Sequence, residues 1–318
     1  MRIVLAPMEG LADVHLRRLI TAQGGYDWVV SEFVRVVDKL YPPRVFQRIS
    51  PELLTGGKTS SGTPVRVQLL GSDSHAMADN AARAVELGSY GLDINFGCPS
   101  KTVNRRQGGA ILLKEPENLY RVVSAVRRAL PKPIIVSAKM RLGFEDTEQM
   151  LDNALALQAG GADEITVHGR TRSQGYRPPV YWPCIGEITS HLDIPVIANG
   201  DVVDTESYAR CQAAAGTADV MLGRGAVRQP DLAAILRDGK APGDWPWFEN
   251  LLWQFWLDIS QNLSGKDRVG RVKQWLNYLR QRHLQAEVLW QQVRLEKDPQ
   301  VLNDLLDPGI QRATARVA

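Results

Sequence analysis

Short apolar runs recur along the chain, at residues 3–6, 28–31, 65–70, 92–95, 134–139, 164–168, 194–198 and 219–222. Each gives way to a polar or glycine turn, and usually then to an amphipathic stretch. Two such stretches, "SHAMADNAARAVELG" and "PENLYRVVSAVRRALP", close on Gly88 and Pro131, residue types that commonly stop a helix. Strands alternating with helices at this spacing predict a parallel sheet, because parallel strands need crossover connections. Eight units in succession predict an α/β fold, a (β/α)8 TIM barrel. The competing arrangement is a doubly wound open sheet, weakened because no GxGxxG follows the first run. Residues 32–63, with Pro42, Pro43, Gly56 and Gly57, are too irregular to assign.

The pattern changes at "RDGKAPGDWPWFEN", residues 237–250, whose Gly, Pro and Asp content reads as a linker. Beyond it, "LLWQFWLDISQNL" and "VKQWLNYLRQRHLQAEVLWQQVRLE" keep helical spacing with no strand signal. The expected division is a catalytic barrel at 1–241 and a small all-helical domain at 242–318.

Composition narrows the class. A hydrophobic content of 44% in 318 residues supplies a large core, and a net charge of +3 permits an anionic partner without requiring one. Three cysteines, Cys98, Cys184 and Cys211, lie far apart with no CxxC pair. That argues against a disulfide framework or a metal site and fits a reducing cytoplasm. "MRIVLAPMEG" has a single Arg and an apolar stretch cut short by Pro7, so it does not read as a signal peptide. No run approaches the ~18 apolar residues of a membrane span. A soluble, cytoplasmic, monomeric protein is the expectation.

Barrel enzymes build their active sites at the C-terminal ends of the strands. Here those ends read "APMEG", "QLLG", "NFGCP", "KMRLG", "HGRTR", "ANGDV" and "GRGA", so almost every polar group sits where a strand runs out. Gly200, Gly223 and Gly225 follow runs seven and eight, the usual phosphate site of this barrel, where backbone N–H groups can approach a ligand. Arg224 adds a fixed charge suited to phosphate, although the same glycines could serve only tight turns. Lys139 and His168, beside Arg141 and Arg170, read as electropositive groups for an anionic ring or phosphate. Gln68 offers the donor and acceptor a planar heterocycle needs. Cys98 shares this mouth. A thiol of ordinary pKa, about 8.5, is protonated at neutral pH and can donate a proton, or attack as a nucleophile if a base activates it. His168, two strands away, is a poor partner for the second role. Cys184 and Cys211, in connecting segments, read as packing residues.

"APMEGLAD", "NFGCPS" with its glycine-rich sequel, "KMRLG", "HGRTR" and "ANGDV…GRGA" together resemble the tRNA-dihydrouridine synthases. The "APMEG" opening and the short C-terminal region are most similar to the bacterial C-type, which acts on uridine 16 of the tRNA D-loop. The resemblance implies an FMN-dependent barrel that uses NADPH to reduce the C5–C6 double bond of a uridine. It implies that Pro7, Met8 and Glu9 lie along the flavin, with Gln68 and Lys139 at its ring. His168 and Asn199, Gly200 and Asp201 would hold the ribityl chain and phosphate, completed by Gly223 and Arg224. Asn95 would bind the uracil and Cys98 would be the general acid, protonating C5 after hydride reaches C6. Ala12, Phe96 and "YRPPVYW" depart from the wider family's usual residues.

Such an enzyme needs a basic surface for tRNA. Residues 242–318 are nearly neutral, with ten Lys/Arg against nine Asp/Glu, but 266–282 carries six cations against Asp267 alone. Arg271, Lys273 and Arg280 are the expected phosphate contacts there, with Trp275 and Tyr278 interleaved. Trp275 itself fits core packing. Arg35, Lys101, Arg105, Arg141 and Tyr176 on the barrel mouth would extend the patch. Two other functions stay open: a flavoenzyme for a free small pyrimidine, like dihydroorotate dehydrogenase, and a non-catalytic tRNA-binding protein.

Overall fold

A computed structural model describes residues 1–309; the last residues of the expected helical domain, 310–318, lie outside the described residues. Eight strands form a closed parallel barrel in chain order: β1 (Ile3–Leu5), β2 (Trp28–Arg35), β3 (Val65–Leu70), β4 (Leu92–Phe96), β5 (Val136–Arg141), β6 (Glu164–His168), β7 (Val196–Asn199) and β8 (Val220–Leu222). The closing pair, with Leu5 opposite Leu222, excludes the open sheet. All eight runs are strands. Helices Ser74–Glu86 and Pro116–Ala129 cover the two stretches singled out above.

The main departure is β2, which continues four residues past its apolar run through a register shift between Val30 and Phe33. A bulge of this kind bends a strand and re-aims its side chains, and here it delivers Glu32 and Arg35 to the mouth. The unassigned segment after it folds into a helix, Pro43–Ile49, and a 3₁₀ turn, Pro51–Thr55. The turn is anchored by a buried, bidentate pair in which Arg17 Nε and Nη2 donate to the Glu52 carboxylate at 3.0 and 2.9 Å.

The barrel interior is unevenly filled. Val4, Trp28, Val30, Ile197 and Met221, from β1, β2, β7 and β8, make one apolar cluster. The facing residues of β3–β5 are polar and hydrogen-bonded to one another: Gln68, Asp93, Asn95 and Ser137. A packed side and a polar side thus meet beneath the mouth.

Among the described residues four helices follow Asp238, Trp245–Asn262, Gly265–Leu279, Leu284–Val293 and Pro299–Leu306. The linker is shorter than the composition suggests, because Asp244 already caps the first of them by accepting from Trp247 N–H. Phe255 and Trp275 meet edge-to-face at 5.0 Å in their centre, and one hydrophobic core runs from the barrel helices into this bundle. Among the described residues no helix is long and apolar enough to cross a membrane.

Candidate active site

A cavity of about 1030 Å³ opens at the C-terminal ends of the strands and reaches under the bundle. Ligand pockets run to roughly 1,000 Å³, so the space suits more than one ring system at a time. Every residue that the family resemblance assigns to a cofactor lines it, as do Asn95, Cys98, Arg35, Arg141 and Tyr176.

Its floor is a hydrogen-bonded relay. Gln68 Nε2 and the Ser137 hydroxyl donate to the two oxygens of Asp93, each at 2.6 Å. Asn95 Nδ2 donates to Gln68 Oε1 at 2.8 Å, and Asn95 Oδ1 accepts from Gly97 N–H at 2.9 Å. The sense of both amides is therefore set from below by a buried carboxylate. Burial pushes the Asp93 pKa up, while Gln68, Ser137 and the charges of Arg66 and Lys139 hold it down. Asp93 went unnoticed in the sequence, yet a signal exists: it sits two residues before Asn95, on the same strand face.

Lys139 Nζ donates to Asn199 Oδ1 at 3.1 Å. Burial and the neighbouring charge of Arg141 lower its pKa to about 8, against the pull of Asp93. His168 behaves otherwise than the sequence suggested. It is buried and surrounded by Arg141, Lys139, Arg170 and Arg224, so desolvation and those charges drive its pKa well below its ordinary value. At neutral pH it is a neutral imidazole, a hydrogen-bonding group and not a cation.

The carboxylate of Asp201, next to Asn199 and Gly200, pairs with Arg170 and with Arg224. Asp201 therefore positions two cations, its carboxylate being paired with both. Arg224 also lies over the Tyr176 ring at 5.0 Å, and Arg141 at 5.2 Å. At Gly225 a Cβ would stand 2.2 Å from the Val202 carbonyl oxygen, so only glycine lets the helix Arg224–Arg228 approach the loop after β7.

Cys98 is half-buried on a loop folded back on itself: its carbonyl accepts from Ala110 N–H at 3.2 Å and from Asn104 Nδ2 at 3.0 Å. Gly109 (φ 70°) allows that closure, because a Cβ there would sit 2.9 Å from Cys98 Cβ. Burial, with the carboxylate of Glu9, raises the thiol pKa above its ordinary value, against the Ser100 backbone, Arg141 and Arg35. Among the described residues no hydrogen bond joins Cys98 to His168. The raised pKa keeps the thiol protonated at neutral pH, a state that can donate a proton. Cys211 is buried and pushed up to about 12 by that burial.

The cations expected to face RNA divide into two groups. Arg35 lines the cavity, and Lys101 and Arg105 lie exposed on the helix Lys101–Arg105 beside it. Arg141, by contrast, spends its guanidinium on the carbonyls of Gly97, Thr171 and Gly175 at 2.8–3.0 Å. Arg271 pairs with Asp13 and donates to the Leu11 carbonyl, both at 2.9 Å, latching the bundle to the loop after β1. Lys273 donates to the carbonyls of Arg294 and Glu296. Arg280 pairs with Glu287 at 2.8 Å beneath Trp290. All three thus bind within the chain. Among the described residues of the bundle, Gln274 and Tyr278 reach the cavity.

A family model described as dihydrouridine synthase matches residues 4–313. The tRNA-dihydrouridine(16) synthase of Aquipseudomonas alcaligenes is 47% identical over 311 residues, covering 96% of this chain and 99% of its own. That of Pasteurella multocida (strain Pm70) is 48% identical over 308 residues, with 96% and 99% covered. That of Escherichia coli O157:H7 is 48% identical over 314 residues, with 98% and 97% covered. Among solved structures, histamine dehydrogenase from Rhizobium sp. 4-9 superposes with a TM-score of 0.56 at 13% identity, over 75% of this chain and 46% of that one. A variant of NCR from Zymomonas mobilis gives 0.53 at 15% identity, over 76% and 88%. At such identities the likeness concerns the fold alone.

Proposed function

This chain belongs to the dihydrouridine synthase family, and we propose that it reduces uridine 16 of the tRNA D-loop with bound FMN and with NADPH as reductant. That it is an oxidoreductase forming dihydrouridine in tRNA follows from its family and its near-full-length relatives. The finer reading rests chiefly on one observation: a single cavity unites a neutral thiol, an amide relay and an arginine-bearing loop pair at the usual phosphate position.

The residues fit a flavin mononucleotide. The space accommodates its ring system with a uracil beside it. Gln68 and Lys139 present a donor–acceptor amide and an ammonium where the ring would lie. Neutral His168, with Asn199 and Gly200, suits the ribityl chain, and Gly223 and Arg224 suit the phosphate. When bound, the reduced flavin supplies the hydride delivered to uracil C6. The chain does the rest. Asn95, its amide set by Asp93 through Gln68, hydrogen-bonds the uracil edge. Tyr176, over Arg141 and Arg224, forms the wall against which an unstacked base can lie. Cys98 then gives its proton to C5, worth about 10²–10⁴ in rate for a positioned acid. Residues 1–241 are the catalytic part and 242–318 the part that completes the mouth for RNA. Three unpaired cysteines suit the cytoplasm. The relay favours this enzyme over a non-catalytic RNA-binding protein, and the mouth cations favour RNA over a free pyrimidine.

Two outcomes are expected. Purified chain with NADPH and unmodified tRNA adds two hydrogens to the uridine at position 16, read by mass spectrometry of nuclease fragments; addition at another uridine overturns the site, and none at all overturns the reading. Second, a ligand contacting the Lys139 ammonium binds best while that group is protonated. FMN affinity of the apoprotein is therefore held below about pH 8 and declines as pH rises through that value. Lys139→Met flattens this decline in a fluorescence titration. A slope equal to the wild type's removes Lys139 from the ring.

A further inference from the structure

We propose that Arg228, with the hydroxyl of Tyr278, is a phosphate-binding position at the seam between the barrel and the helical bundle, a second cation beside Arg224. The inference rests on the functional reading above and extends its site. Arg228 lies one turn after Arg224 on the helix Arg224–Arg228, so the two side chains share a face, and both line the cavity, as does Tyr278.

The partners of its neighbours set Arg228 apart. Arg141 donates to three carbonyls, Arg170 and Arg224 pair with Asp201, and Lys139 donates to Asn199. Four arginines bury an Nε with no hydrogen-bond partner: Arg66, Arg172, Arg228 and Arg268. The other three lie over aromatic rings, those of Trp28, Phe144 and Trp256, and none of them lines the cavity. Among the described residues Arg228 has neither ring nor counter-ion within contact. Burial and the charge of Arg224 depress its pKa, and the groups opposing this are Tyr278 and the already committed Asp201. A half-buried guanidinium that lines the cavity without an anion is a site for a planar or tetrahedral oxyanion, and phosphate matches the paired donors of a guanidinium bidentately. The bundle holds it there: Trp275 Nε1 donates to the Val227 carbonyl at 2.9 Å, and His283 Nε2 meets the Arg228 carbonyl at 3.3 Å.

The phosphate is either the monoester of the flavin nucleotide or a diester of the RNA backbone. Full-length Arg228→Gln and Tyr278→Phe separate them, with FMN, riboflavin and tRNA as probes. If the monoester is bound, Arg228→Gln weakens FMN roughly tenfold or more and leaves riboflavin, which lacks the phosphate, unchanged. If a backbone phosphate is bound, FMN is unchanged, tRNA affinity falls, and the slope of log affinity against log salt drops by about one contact. Tyr278→Phe moves the same ligand by less. Arg228→Lys keeps the charge without the fork and gives an intermediate loss, which answers the question should Arg228→Gln not fold. Wild-type affinity and salt slope for all ligands in the folded variants overturns the assignment alone. A wild-type chain that binds neither FMN nor tRNA overturns the functional reading and this site with it.

Discussion

Replacing Cys98 by Ala is expected to lower single-turnover oxidation of the reduced enzyme by unmodified tRNA about 10²–10⁴-fold, while FMN content and reduction by NADPH stay at wild-type levels. On the proposed mechanism the two half-reactions separate, because the thiol would be needed only when C5 takes its proton. Its pKa is raised chiefly by burial, with Glu9 adding to it, so the acid form prevails through neutral pH. The wild-type rate of the uridine half-reaction is then flat across neutrality and falls only as pH rises through the elevated thiol pKa. A nucleophilic cysteine would show the opposite limb, gaining rate as the thiolate forms. Cys98→Ser keeps a donor of much weaker acidity and recovers little. Wild-type turnover in Cys98→Ala would remove the acid role, and an alkaline gain in the native enzyme would replace it with a nucleophilic one.

How much of this could be read from the chain follows from what kind of information each feature needs. All eight strands are legible because they are largely buried, so each appears as a short run rich in apolar residues, broken in β3–β6 only by the polar side chains that alternate along them. The site's location is equally legible, since polar residues cluster where the runs stop. The extension of β2 to Arg35 is not, because a bulge breaks the period that would announce it. Charge is visible in sequence, but the partner of a charge is not. Arg271, Lys273 and Arg280 form a basic stretch on paper, yet a carboxylate or carbonyl elsewhere in the chain has claimed each. His168 reads as a cation until four neighbouring cations and burial are counted. Asp93 is hidden in the same way: its role lies in two contacts across strands, one from Gln68 and one from Ser137.

Trp275→Ala is expected to be among the most destabilising single changes, and to reach the active site as well. The side chain is fully buried against Phe255, and emptying such a position costs about 3–5 kcal/mol, a large share of the ~5–15 kcal/mol that holds a typical fold. Trp275→Phe is the more informative variant. It keeps an aromatic ring beside Phe255 and removes the indole N–H that binds the Val227 carbonyl. An unsatisfied buried carbonyl costs about 1–3 kcal/mol, so the protein still folds. The carbonyl belongs to the helix Arg224–Arg228, whose single turn has little stability of its own and depends on Trp275, His283 and the close approach at Gly225 for its position. Loosening it displaces Arg224 and Arg228, the arginines of the proposed phosphate position. Trp275→Phe is therefore expected to lower the thermal midpoint by several degrees and to lose FMN affinity while riboflavin affinity changes little, a split between the two flavins that general destabilisation cannot produce. Equal losses for both flavins would mean that the bundle supports the barrel only as a whole, and that its tryptophan does not set the geometry of the phosphate site.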